Sequence, residues 1–183
     1  MYSMIYNTRP WKTDLKRMVK DLLRRQSQTR WTPASYAGLE RTVMLGCYSI
    51  RKLREAYTSS NRRPPAFNVK VTSFPSIDKS FCDIFWPEVN EHFDLTNPKP
   101  ESVECSFICD QIIHSYVFVP WFNPSQHLAG LFVGSKRLVN GEKGAPRVLR
   151  ISIDNIVSLF EHFTKTGHRW WGHFSREQDR IIM

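Results

Sequence analysis

Residues Thr32 to Ser59 read TPASYAGLERTVMLGCYSIRKLREAYTS. The Thr32 side-chain oxygen can accept from the unpaired amides of a first helical turn, and Pro33 has the fixed φ and missing N–H that suit the next position. Apolar or small residues then recur at Tyr36, Leu39, Val43, Gly46, Ile50, Leu53 and Tyr57 in three- and four-residue steps, with Leu45 and Cys47 widening the stripe. This spacing predicts one long amphipathic helix with a buried face. At about 1.5 Å per residue it reaches about 38 Å, enough to cross a small domain, so other elements must pack around it. Thr58 to Asn61 and the pair Pro64-Pro65 end it, because Ser and Asn compete for backbone bonds and proline cannot continue a helix.

Upstream, Trp11, Leu15, Met18 and Leu22, with Val19 and Leu23 beside them, predict a shorter helix over residues 10–26. The linker Gln26–Trp31 is short enough for the two helices to form an antiparallel hairpin. The other side of the shorter helix holds Lys12, Lys16, Lys20 and Arg24 at four-residue spacing, with Arg17 and Arg25 adjacent. Such a row can track phosphates, and Arg62 and Arg63 join it as candidate contacts. It equally suits a solvated face, since Asp14 and Asp21 offer local partners. The same acids argue against a mitochondrial presequence.

Charge is distributed unevenly. Residues 1–63 carry fourteen Lys/Arg against four acids, residues 78–110 eight acids against two lysines, and residues 111–183 nine bases against five acids, within an overall charge of +9. A basic first third is the footprint of a polyanion contact. The alternative is an acidic middle folded over the basic helices. The 183 residues fit one domain, and 41% hydrophobic content excludes global disorder. No apolar run approaches a membrane span and no apolar signal region precedes the first helix, so a soluble, cytoplasmic protein is expected. Cys47, Cys82, Cys105 and Cys109 are too scattered for a disulfide framework, and reduced thiols are expected.

After Pro64, the alternation of Phe67, Val69 and Val71 predicts an edge strand ending at Pro75. Residues 76–100 read as ordered loop with a helical turn near Pro87–Phe93. Residues 101–116, ESVECSFICDQIIHSY, carry both a strand period and a helix period; the helix is preferred, with Pro100 at its start and Glu101 and Glu104 in its first turn. YVFVPWF, Gly130–Lys136 and Arg147–Ile153 are three strands, with Asn140-Gly141 and Gly144 in a hairpin connection. Asp154 is the expected cap of a last helix bearing Ile156, Val157, Leu159, Phe160 and Phe163, with Gly167 as its stop. The predicted class is α+β: an N-terminal helical hairpin plus a third helix, packed with a small C-terminal antiparallel sheet and a final helix. Within a single domain, 1–63 is the basic helical part, 64–116 the acidic loop-rich part with the third helix, and 117–183 the sheet, final helix and aromatic–basic tail.

NGEKGAP lacks the Lys-Ser/Thr that ends a phosphate-cradling loop and reads as a turn, and no G-x-S-x-G or H-E-x-x-H is present. Cys105 and Cys109 share a helical face, with Cys82, His92 or His114 within a conceivable metal set, but no second tight ligand pair accompanies them. Buried thiols are the preferred reading, as buried or structural roles are for His162, His168 and His173, and no metal or cofactor is expected. In the tail, Arg169, Trp170, Trp171, Phe174 and Arg176 suit either base stacking or packing on the core, and packing is preferred.

Asp110 and His114 stand one helical turn apart in CDQIIHSY, where a carboxylate can orient an imidazole for acid–base work on a proton such as an RNA 2′-hydroxyl. A plain structural hydrogen bond uses the same spacing. This segment resembles the helix-borne motif of HEPN-type helical proteins, many of which are metal-independent ribonucleases. The resemblance covers residues 101–116 and implies His114 as general acid/base in a site shared across a homodimer. Asp110 occupies the place of the family's basic residue, so a catalytic site requires Glu40 and Arg41 of the long helix to approach His114. Three functions are therefore expected: a non-enzymatic nucleic-acid-binding protein, a HEPN-like endoribonuclease, or an interaction module meeting an acidic partner protein.

Overall fold

Thr32 caps the long helix as its chemistry predicts, its Oγ1 accepting from the Ser35 amide at 3.2 Å. In the computed structural model, which describes residues 7–59, 63–77, 89–142 and 144–166, helix α1 spans Thr8–Gln26 and α2 spans Pro33–Ser59. They run antiparallel. Trp11, early in α1, meets Tyr48 at a ring separation of 6.1 Å, while Arg25 at the end of α1 donates to the Ser35 carbonyl at the start of α2. Leu39, Val43, Cys47, Ile50 and Leu53 form the buried face of α2. Leu45 does not widen that face; it is 48% exposed.

The chain then forms β1 (Asn68–Pro75), a single turn α3 (Val89–His92), β2 (Lys99–Glu104), α4 (Cys105–Ile113), β3 (Ser115–Phe122), β4 (Leu128–Ser135), a turn α5 (Lys136–Val139), β5 (Arg147–Ser152) and α6 (Ile153–Lys165). The class is α+β as predicted, and the sheet is larger than predicted. Five antiparallel strands lie in the order β2-β1-β5-β4-β3. Strand β1 is therefore not an edge: β2 pairs with it from Asn68↔Glu104 to Ser73↔Lys99 on one side, and β5 pairs with it on the other. Residues 101–116 divide differently from either reading: 101–104 finish β2, α4 starts at Cys105 with Glu104 as its cap and not at Pro100, and the chain then enters β3. Cys105, Phe107 and Cys109 are therefore helical, and Pro100 and Glu101 belong to a strand that β1 pairs.

Side chains alternate across the sheet. Val69, Val71, Leu131, Val133, Leu149 and Ile151 point into the main core, which α1, α2, α4 and α6 cover. Phe74, Val117, Phe132 and Val148 point the other way into a smaller cluster with Val89, Phe93 and Val139. Helix α2 lies between α1 and α4, and it touches α6 where Gly46 meets Phe160. At the β4–β5 connection, Gly141 has φ +75°, a conformation that favours glycine and that the Asn140-Gly141 pair foretold. The cap of α6 differs from expectation: Ser152 accepts from the Asn155 amide at 3.2 Å, and Asp154 lies inside the first turn, where its charge still favours the dipole. Gly167 and the aromatic–basic tail lie outside the described residues, as do Cys82 and Arg62.

Candidate functional site

Helix α1 starts on Asn7, whose side chain accepts from the Arg9 amide at 2.8 Å. Leu15, Val19 and Leu22 are buried, and steps of three and four carry that face onward to Arg25. Arg25 is accordingly 8% exposed and is not part of an outward row. Its Nε donates to Asp21 at 2.7 Å and its Nη1 to the Ser35 carbonyl at 2.9 Å, so its charge fastens the hairpin. Burial pushes the Asp21 carboxyl up, but hydrogen bonds from Arg25, Arg24 and Thr42 together outweigh it and hold the group below its usual range. Lys12 is also drawn inward: its Nζ donates to the Thr166 carbonyl at 2.6 Å, and burial followed by the neighbouring Lys16 charge lowers its pKa.

The rest of the row faces solvent. Arg17 pairs with Asp14 at 3.3 Å and Arg24 with Asp21 at 2.7 Å, while Lys16 and Lys20 are exposed with no ion pair among the described residues. Arg63 is exposed near the start of the next segment. Of the acidic middle, Glu91 belongs to α3 and Asp94 follows it, and this segment packs through Val89 and Phe93 on the sheet face away from α1.

Asp110 and His114 come to a different place. Buried Cys105, Ile108, Cys109 and Ile112 direct the opposite side of α4 outward, and His114 caps the helix with its N–H on the Asp110 carbonyl at 3.0 Å. Both side chains are exposed, and no side-chain hydrogen bond joins them among the described residues. The Asp110 carboxylate instead faces Arg51 of α2, with Nη1 3.7 Å away. Gln111 accepts from the Ser135 amide at 3.1 Å, fixing α4 against the end of β4, and Ser135 caps α5. Lys136 and Arg137 thereby join Arg51, Asp110 and His114 around a cleft of about 590 Å³. Arg41 is not among its lining residues. It lies ten residues before Arg51, about 15 Å along the helix axis.

The charges in this cleft largely offset one another. Arg51 is shared between Glu55 at 3.4 Å and Asp110, and Arg137 faces Glu142 at 3.7 Å. Lys136 has no carboxylate partner among the described residues. Chemically, the cleft offers an imidazole for proton transfer beside cations able to hold an anion. The sequence reading missed Arg51, Lys136 and Arg137, whose convergence depends on contacts between α2, α4 and the β4–α5 junction.

Among the described residues, no group of three or more His, Cys, Asp or Glu is placed to hold a metal ion. Cys47, Cys105 and Cys109 are buried free thiols. Burial, then hydrogen bonding to Glu104, pushes the Cys105 thiol up to about 12 against the opposing effect of Arg54. A hydrogen bond with Cys47 and burial raise Cys109 as well. Such thiols stay protonated. No described helix is long and apolar enough to cross a membrane.

No family model matches the chain, and no curated protein or solved structure matches it either.

Proposed function

We propose that the chain is a non-enzymatic nucleic-acid-binding protein that contacts phosphates through the solvent face of α1. The observation that carries this reading is the pair Lys16 and Lys20, exposed one turn apart with no ion pair among the described residues. Glu91 and Asp94 pack on the far side of the sheet and leave that face uncovered by them. Arg17 and Arg24 contribute less, because each already faces an aspartate. The three buried free thiols are in keeping with a reducing, cytoplasmic setting.

Fluorescence anisotropy with labelled RNA and DNA over a salt series tests the proposal. Binding at low salt should fall steeply as salt rises, and Lys16→Glu with Lys20→Glu should weaken it across sequences and reduce the log–log salt slope by about 2. Failure to bind either polymer at low salt removes the reading.

A second reading is supported by the cleft. Arg51 stands in the part that the HEPN resemblance assigns to a basic residue near the histidine, with His114 as the general acid/base of an endoribonuclease. Incubating the protein and its His114→Ala variant with RNA in EDTA separates the two: equal cleavage by both takes His114 out of the mechanism.

A further inference from the structure

A second basin lies on the outer face of the sheet, bordered by the first turn of α6, whose Asn155 lines it and donates to the Lys70 carbonyl at 2.8 Å. Strand register sets Pro100, Thr72, Arg150 and Phe132 side by side across four strands. One pleat along, Ser102 pairs with Lys70, Ser152 with Gly130, and Gly130 with Trp121. Gly130 lets the Trp121 ring lie close over its backbone, and the small side chains of Ser102 and Ser152 leave a depression of about 580 Å³ that Trp121 and Arg150 border.

Arg150 is stacked rather than ion-paired. Its guanidinium carbon lies 4.5 Å from the Trp121 ring centroid and 5.0 Å from that of buried Phe74, so the cation is held between two aromatic rings. Neither Arg150 nor the exposed Lys70 has an ion pair among the described residues. The acid on the rim, Glu101, faces Arg147 at 3.6 Å. The basin thus combines a half-buried indole, a guanidinium held against it and a second cation. An aromatic plane beside uncompensated positive charge matches a flat base joined to a phosphate, which stacks on aromatic and guanidinium surfaces.

We propose that this basin binds one nucleotide unit of single-stranded nucleic acid, with the base stacked on Trp121 and the phosphate held by Lys70 and Arg150. The lysines of α1 belong to the helical side of the sheet, so the two sites can fail independently.

The test uses the full chain and a single-stranded oligouridine carrying 5-iodouracil, with photocross-links mapped by mass spectrometry and affinity read by anisotropy. The cross-link should fall on Trp121 and persist when Lys16 and Lys20 are changed to Glu. Trp121→Leu should weaken binding roughly 5- to 100-fold, Trp121→Phe should recover much of that loss, and Lys70→Glu should weaken it too. Absence of a cross-link at Trp121, or an unchanged affinity for Trp121→Leu, overturns the proposal. So does uridine monophosphate competing as tightly as the oligonucleotide, which would make this a small-molecule site. A change in sedimentation of Trp121→Leu without loss of RNA affinity would assign the face to self-association and likewise overturn it.

Discussion

Arg51 on α2 and Asp110 on α4 face each other across the mouth of the His114 cleft, 3.7 Å apart and each about half exposed. An exposed pair at that distance contributes between zero and about 1 kcal/mol to stability. Its larger effect is on the cleft, where Asp110 occupies part of the field that an anion would feel. Asp110→Asn should therefore leave the melting temperature nearly unchanged and raise the affinity for inorganic phosphate or a short oligonucleotide in this cleft. Isothermal titration of the two proteins checks this; weaker binding by the Asn variant would mean that Asp110 contacts the ligand through a bound proton or cation.

Asp21 links α1 and α2 by accepting from Arg24, Arg25 and Thr42 at 2.7, 2.7 and 2.9 Å. Asp21→Asn leaves the buried Arg25 without its carboxylate and should cost about 1–3 kcal/mol. Because the carboxyl is more acidic in the folded chain than its ordinary value of 3.8, its stabilisation is complete above that value and is lost as pH falls through the lowered one. Thermal melts of both proteins from pH 7 to pH 2 should show their difference shrinking at the acid end.

A Cβ added at Gly46 would collide with the ring of Phe160, which is completely buried. Alanine would gain about 1 kcal/mol of helix propensity at this mid-helix position, while overpacking costs about 1–3 kcal/mol. The steric effect should win, and Gly46→Ala should lower the unfolding midpoint in urea. In a Phe160→Leu background the same substitution should cost less, since the smaller side chain leaves room for the added methyl.

Cys47, Cys105 and Cys109 are buried, and their protonated thiols are poor nucleophiles. Iodoacetamide at pH 8 should leave all three unmodified in the native protein and alkylate them in denaturant, as peptide mapping would read. Rapid native labelling of Cys105 would show that the Arg54–Glu104 contact at 2.8 Å opens readily.

Much of the fold was legible because it rests on local periodicity. The hairpin of α1 and α2, the strands entering at Ser115, Leu128 and Arg147, and the last helix each carry their own pattern of buried residues. Strand β2 was not legible: KPESVE has Val103 as its sole large apolar residue, and it becomes a strand because β1 offers it a full ladder of backbone bonds. Its pairing also moved β1 from the edge to the interior. Arg25 left a readable trace, since it falls in phase with Leu15, Val19 and Leu22, but a charged residue in a buried stripe is stable only where Asp21 and the Ser35 carbonyl meet it.

By itself the sequence determined the helices, the α+β class and the presence of a basic row on α1, because side-chain spacing and capping act within a few residues. The tertiary structure alone decided which cations remain uncompensated. Lys12 and Arg25 are drawn onto backbone carbonyls of other elements, Arg51 and His114 come to line one cleft, and Arg150 is set between Phe74 and Trp121. Electrostatic and stacking contacts depend on distances of a few ångströms between distant parts of the chain, and only the packing of helices on the sheet sets those distances.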